Sequence, residues 1–187
     1  MSNASRYALS QPGCTSAHAF VQECVSFDFE MRLYWVDVWA ESSSELVQPR
    51  GAAFNCWNHV DEQGKPRSFQ KLTRTTALER FNGDEDAMRA AEHEAVVISN
   101  RIMGWLRTIS AEPPTSFRTD FMLKYMGRGE RPHVWLGELG EAGSCTLGWK
   151  DGPQVQWQSL VASFTRTVAD AQRVRAKTTT TPRNMDS

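Results

Sequence analysis

The chain has little cysteine, and none of it is paired at the spacing that redox motifs or zinc sites use. Its 187 residues include only Cys14, Cys24, Cys56 and Cys145, with no CxxC pair among them. Such wide spacing does not indicate a disulfide framework or a structural zinc site. We therefore expect reduced thiols in a cytoplasmic protein.

Long apolar runs and an excess of one charge sign are also missing. No apolar stretch approaches the ~20 residues that a membrane-spanning helix needs, and the polar first 17 residues lack the pattern of a signal peptide. Lysine and arginine number 21 and aspartate and glutamate 22, which gives a net charge of −1. A balance of this kind argues against a polyanionic partner. We expect neither a membrane nor a nucleic acid among the partners.

The remaining composition is typical of one globular domain. Hydrophobic residues make up 40% of the chain, and this length is sufficient to bury a core. Residues 1–17 are polar and rich in small side chains, and residues 177–187 contain a run of threonines. These compositions predict a flexible arm over 1–17, a single domain over 18–176 and a disordered tail over 177–187.

Alternation of apolar and polar residues predicts strands in the first part of the chain. Over Phe27 to Trp39 the odd positions are apolar as far as Trp35, while Asp28, Glu30, Arg32 and Tyr34 occupy the even positions. A period of two gives a strand with one buried face and one polar face. Further strands are predicted over 19–25, 51–59, 117–125 and 133–139.

Two helices are predicted from apolar residues that recur every three or four positions. The first begins after Asp84 as N-cap and ends before Pro113; its stripe is Met88, Ala91, Ala95, Ile98, Ile102, Trp105 and Ile109. The second spans about Val155 to Arg175, with the stripe Trp157, Leu160, Val161, Phe164, Val168 and Ala171. We expect both stripes in the core. The order of elements predicts an α+β fold, with an antiparallel sheet backed by helices.

The hairpin over 117–139 contains the most informative charged residues. Arg118 and Asp120 are two positions apart and share the polar face of their strand. If Tyr125 pairs with His133, Asp120 lies opposite Glu138 with β-carbons ~5 Å apart. Two carboxylates at that distance favour a cation between them, and Mg²⁺ prefers such oxygen ligands. The alternative is a solvated strand face on which Arg118 simply pairs with Asp120.

Three short motifs, in order along the chain, resemble those of the ATP-grasp superfamily. Residues 21–25 (VQECV), followed by 29–34 (FEMRLY), resemble its adenine-binding hinge strand. The segment from Arg118 to Asp120 resembles the R-x-D motif of the family, and 138–140 (ELG) resembles its E-x-N motif. The resemblance covers about residues 19–145. It implies the C-terminal, ATP- and magnesium-binding half of an ATP-dependent carboxylate–amine ligase-like protein.

The resemblance also implies roles for individual residues. Gln22, Glu23, Cys24 and Val25 would contact adenine. Glu30, with Asp28 as the alternative, would face the ribose or the cleft. Arg118 would be the catalytic residue that stabilises the transferring phosphoryl group, and Asp120 and Glu138 would hold Mg²⁺. The implied partners are ATP and an unidentified carboxylate substrate.

The chain departs from the family pattern in two places. Gly140 stands where the family has a metal-binding asparagine. Glu141 could replace it if the strand ends or bulges there, and Ser144 is a further candidate. The lobe that normally precedes the hinge strand is not represented by residues 1–18, and no P-loop pattern replaces it. A separate lobe or partner chain is therefore expected, and a degenerate binding module is the alternative to an active ligase.

Overall fold

The protein is an α+β domain built on one five-stranded antiparallel sheet, which confirms the predicted class at this coarse level. The structure is a computed structural model that describes residues 25–36, 46–56, 70–109, 116–140 and 149–179. Its strands are β1 (Phe29–Val36), β2 (Gly51–Cys56), β3 (Gln70–Leu72), β4 (Ser116–Lys124) and β5 (His133–Gly140). Its helices are α1 (Arg74–Arg80), α2 (Glu85–Ile109) and α3 (Gly152–Thr179). Within these ranges no helix has the length and apolar character needed to cross a membrane.

The strand order is β3-β2-β1-β4-β5, so β1 lies at the centre of the sheet. Arg32 of β1 is paired with Ala53 of β2 on one side and with Asp120 of β4 on the other. Because side chains alternate along each strand, residues that are paired across neighbouring strands lie on the same face of the sheet.

The apolar face of the sheet and helix α2 together form the core. Asp84 caps α2 as predicted, since its Oδ1 accepts a hydrogen bond of 3.1 Å from the Ala87 amide. The strand residues of the core are Phe29, Met31, Leu33, Trp35, Phe54, Phe117, Phe121 and Leu123, and those of α2 are Ala87, Met88, Ala91, Ala95, Val96 and Met103. The alternation along β1 and the first half of the α2 stripe are therefore confirmed.

A buried chain of hydrogen bonds joins α2 to the sheet. Trp35 Nε1 donates to Thr119 Oγ1 at 2.9 Å, and the hydroxyls of Thr119 and Ser99 lie 2.9 Å apart. Ser99 in turn donates to the Ala95 carbonyl at 2.8 Å. Because buried polar groups are costly unless paired, this chain specifies how α2 packs on the sheet.

Several predicted boundaries differ from those observed. Strand β1 begins at Phe29 and not at Phe27, and β3 and α1 were not predicted because each is short and carries little periodic signal. Of the predicted strand over 19–25, only Val25 is described, and it lies in an irregular segment before β1.

The prediction that the apolar stripe of α3 lies in the core is wrong. Trp157 and Phe164 are 65% and 71% exposed, and Leu160, Val161 and Val168 are also exposed. On α2, Trp105 and Ile109 are likewise exposed at the C-terminal end. Helix α3 instead turns small residues toward the rest of the domain, since Gly152 and Ser159 are buried.

Candidate functional site

The second face of the sheet carries a cluster of charged and polar side chains, here called the polar face. Its members come from four of the five strands and are Glu30, Arg32, Asn55, Arg118, Asp120 and Glu138. They share one face because alternate residues of β1, β2 and β4 meet in register. The same alternation that builds the core therefore assembles this cluster on the other side.

Arg118 is the centre of the cluster. Its Nε lies 2.6 Å from Asp120 Oδ1, and its Nη2 lies 2.8 Å from Asp120 Oδ2, so the guanidinium and the carboxylate form a bidentate pair. The same Nη2 is 3.2 Å from Glu138 Oε2. Arg118 and Asp120 are both buried, whereas the side chain of Glu138 is 63% exposed. Glu138 thus forms the solvent-facing edge of the cluster.

Arg32 links the β1 side of the cluster to Asp120. Its Nε lies 2.6 Å from Glu30 Oε1 and 3.4 Å from Asp120 Oδ2. Asn55 is fully buried, and with its amide oriented to satisfy both ends it accepts from Arg32 Nε at 3.2 Å and donates to the Phe54 carbonyl at 3.0 Å. Two guanidinium groups and three carboxylates therefore form one connected network.

A bulge in β5 brings Glu138 opposite Asp120. The predicted pairing of Tyr125 with His133 is wrong, because His133 pairs with Lys124. Gly137 is then passed over, and the predicted pairing of Asp120 with Glu138 is found beyond it. A β-carbon at Gly137 would lie only 3.3 Å from Met122 Cε, so the glycine suits this close approach.

The network carries one more negative than positive charge, and the pKa of Asp120 reflects its surroundings. Burial raises the pKa of Asp120 from 3.8 to about 6, against the opposing effect of Arg118 and Arg32. Burial acts to lower the pKa of Arg118, but the hydrogen bond with Asp120 and the negative charges of Asp120 and Glu138 together outweigh this and raise that pKa above its usual value. The arginine thus stays charged, while Asp120 titrates near neutrality.

The cluster could hold a divalent cation only together with further ligands. Within the described ranges, no three side chains among His, Cys, Asp and Glu form a group that could bind a metal ion. Asp120 and Glu138 both contact Nη2 of Arg118, so a guanidinium lies where a cation between them would lie. Mg²⁺ typically uses one or two carboxylates and takes its other ligands from phosphates and water. Two carboxylates released from Arg118 would meet that requirement.

An aromatic contact covers the end of the polar face beyond Arg118. The rings of Tyr34 and Trp149 are stacked with centroids 5.0 Å apart. Trp149 also packs on Gly51, where an added β-carbon would come within 2.5 Å of the indole. The start of α3 is thereby anchored to this side of the sheet.

The sequence-predicted residues divide into three groups. Arg118, Asp120 and Glu138 are brought together, and Glu30 lies on the same face. Val25 is described and lies, half-buried, in the irregular segment before β1. Gln22, Glu23, Cys24 and Glu141 lie outside the described residues.

Sequence reasoning missed two members of the network. Arg32 could have been found from its position two residues after Glu30, on the polar side of β1. Asn55 gave no signal, because an asparagine inside an otherwise apolar strand does not by itself indicate a partner.

One surface pocket lies away from the polar face. A pocket of about 660 Å³ lies between the start of α2 and the turn joining β4 to β5, lined by residues 83–87, 90 and 128–132. It shares no residue with the polar face.

Comparisons of the chain with protein-family models, with curated proteins and with solved structures found no match.

Proposed function

We propose that this chain is an ATP-grasp-like domain that binds ATP together with Mg²⁺ on the polar face of its sheet. The observation that supports the proposal most is that Asp120 and Glu138, from two neighbouring strands, both contact the guanidinium of Arg118. The hairpin supplies two carboxylates that could bind Mg²⁺ and a guanidinium that could bind phosphate oxygens in a bidentate manner.

Binding requires an exchange of partners within the network. Arg118 would donate to phosphate oxygens in place of Asp120 and Glu138, and these two carboxylates would hold the cation. Each charge would keep a partner, because the divalent ion would replace the guanidinium beside the two carboxylates and the guanidinium would pair with phosphate. Arg32 remains beside Asp120 and limits the cost of moving Arg118.

The reaction class proposed is that of a carboxylate–amine or carboxylate–thiol ligase acting through an acyl phosphate. The bound metal would supply charge neutralisation on the phosphates. Arg118 would stabilise charge that develops on the transferring group. A further lobe or partner chain would complete the nucleotide site.

A catalytically degenerate relative, acting as a binding module, is the second candidate. Two observations favour it. Arg118 and Asp120 already satisfy each other in a buried bidentate pair, and Gly140, opposite Arg118 in the register, offers no ligand side chain.

Isothermal calorimetry with ATP, with and without Mg²⁺, tests the binding proposal. We expect wild type to bind ATP only with Mg²⁺, and the double variant Asp120→Asn, Glu138→Gln to lose at least about tenfold in affinity, because it removes both anionic ligands while keeping their shape. The matched control is Glu85→Gln with Glu92→Gln, which removes two carboxylates of α2 that pair with Arg74 of α1 and leaves the polar face intact.

The outcomes separate the candidates. Absence of binding by folded wild type contradicts both the ligase and the ATP-binding module. Binding followed by ADP formation with a carboxylate and an amine or thiol supports the ligase, and binding without turnover across such a panel supports the degenerate module.

A further inference from the structure

The exposed side of α3 has the residue spacing of a coiled-coil seam. Its apolar residues follow intervals of four, three, four and three, through Trp157, Val161, Phe164, Val168 and Ala171. Helices with this spacing bury the stripe against another helix. A stripe that merely lay on the sheet of its own domain would be covered, whereas this one is exposed.

The side of α3 that faces its own domain is already defined and is not this stripe. Gly152 and Ser159, which are buried, lie on the opposite side of the helix from Phe164. Trp149 anchors the first turn to Tyr34. The stripe cannot turn inward without breaking these contacts.

The exposed apolar area of the stripe reaches the lower limit for a specific interface between two copies. The exposed fractions are 65% for Trp157, 51% for Leu160, 47% for Val161, 71% for Phe164 and 40% for Val168. With an aromatic side chain presenting on the order of 200 Å² in full, these five expose on the order of 500 Å². Two copies would bury on the order of 1,000 Å², which is about the lower limit for specific interfaces.

The order of large and small residues favours an antiparallel pair. If two helices cross at Phe164, Trp157 of one copy lies opposite the small Ala171 of the other, and Leu160 lies opposite Val168. In a parallel pair each Trp157 would meet the other Trp157, and each Arg175 the other Arg175.

Charge complementarity points the same way. Arg175 continues the seam four residues beyond Ala171, and Asp151 lies just before the helix. The antiparallel arrangement brings Asp151 of one copy within about one helical turn of Arg175 of the other. We propose that the stripe of α3 binds the same stripe of a second copy of this chain in an antiparallel helix pair.

Sedimentation equilibrium over a range of concentrations tests the pairing, independently of any nucleotide. Wild type is expected to approach twice its monomer mass of 21.1 kDa. Phe164→Asp is expected to weaken association at least about 30-fold, since it removes a central aromatic anchor from both copies. Ala162→Asp is the control, because it adds the same charge on an exposed position of α3 outside the stripe. Circular dichroism confirms that both variants fold.

A wild type that stays monomeric to about 100 µM, well above the dissociation constants of specific dimers, contradicts the proposal and leaves the stripe to a different chain. Equal weakening by both aspartate variants also contradicts it. Charge reversal tests the orientation: Asp151→Arg and Arg175→Asp should each weaken the dimer, and the two together should restore it. A stronger dimer with Arg175→Asp alone would overturn the antiparallel arrangement.

Discussion

The two faces of the central sheet are built from alternate residues of the same strands, yet they are held together by different forces. On one face, Phe121 and its neighbours pack against α2 in an apolar core. On the other, Asp120 and Arg118 belong to a network of buried charges. The apolar face gains from burial in any arrangement that excludes water, whereas the polar face is stable only while each charge keeps a partner. The first kind of surface suits a scaffold and the second suits a site at which partners can be exchanged.

The largest expected effect on the free energy of unfolding comes from truncating a buried side chain of the apolar face. Phe121→Ala removes a fully buried ring and should lower the free energy of unfolding by about 3–5 kcal/mol, through lost burial and the cavity that remains. Met122→Ala, one residue along and on the polar face, should cost much less because that side chain is only half-buried. Urea unfolding measures both, and equal losses would contradict the division between the faces.

Removal of the Arg118 guanidinium should have the next largest effect on stability. Arg118→Met leaves Asp120 buried without its bidentate partner and should lower the free energy of unfolding by about 3 kcal/mol. Arg118→Lys keeps a positive charge but loses the fork, so we expect an intermediate loss. If Arg118→Met unfolds at the wild-type urea concentration, the polar face does not depend on this pair.

The pH dependence of stability measures the contribution of Asp120. Its pKa of about 6 in the folded protein exceeds the ordinary 3.8, so the folded state retains a proton that the unfolded state has released. This contribution to stability is complete below about pH 4 and is lost as the pH rises to about 6, by about 2–3 kcal/mol. The difference in unfolding free energy between wild type and Asp120→Asn, measured from pH 3.5 to 7.5, should show this fall. A flat difference would contradict the raised pKa.

The smallest stability effect is expected at the exposed edge of the network. Glu138→Gln changes a side chain that is 63% exposed, so the free energy of unfolding should change by less than about 1 kcal/mol. ATP affinity in the presence of Mg²⁺ should nevertheless fall, since the variant loses one proposed ligand. An unchanged affinity would remove Glu138 from the proposed site.

The sequence predicted the sheet and its two faces well because alternation is a local signal. Phe29 and Met31 on one side, and Glu30 on the other, follow from a period of two alone. The pairing of Asp120 with Glu138 was also predicted, but from a wrong hairpin register that the bulge at Gly137 corrects. A bulge of this kind is a local irregularity of strand pairing, which the alternation of residues along a strand does not encode.

The two long helices show the limit of the same reasoning. Both carry apolar stripes, and a stripe indicates that a helix has a face to bury but not what covers it. For α2 the cover is the sheet, through residues such as Met88. The sheet does not cover the stripe of α3, since Phe164 is exposed. The strand pattern places Arg32 on the polar side of β1, but its contact with Asp120 follows only from the three-dimensional register.

Paramagnetic broadening by Mn²⁺ can distinguish the two faces in a single experiment. With methyl-labelled methionines, Met122 reports on the polar face beside Asp120, while Met31, Met88 and Met103 report on the core. With Mn²⁺ in place of Mg²⁺ and ATP present, we expect the Met122 signal to broaden first, and the effect to disappear in the Asp120→Asn, Glu138→Gln variant. A Met122 signal that stays sharp while ATP and Mn²⁺ are bound would contradict a nucleotide site on the polar face.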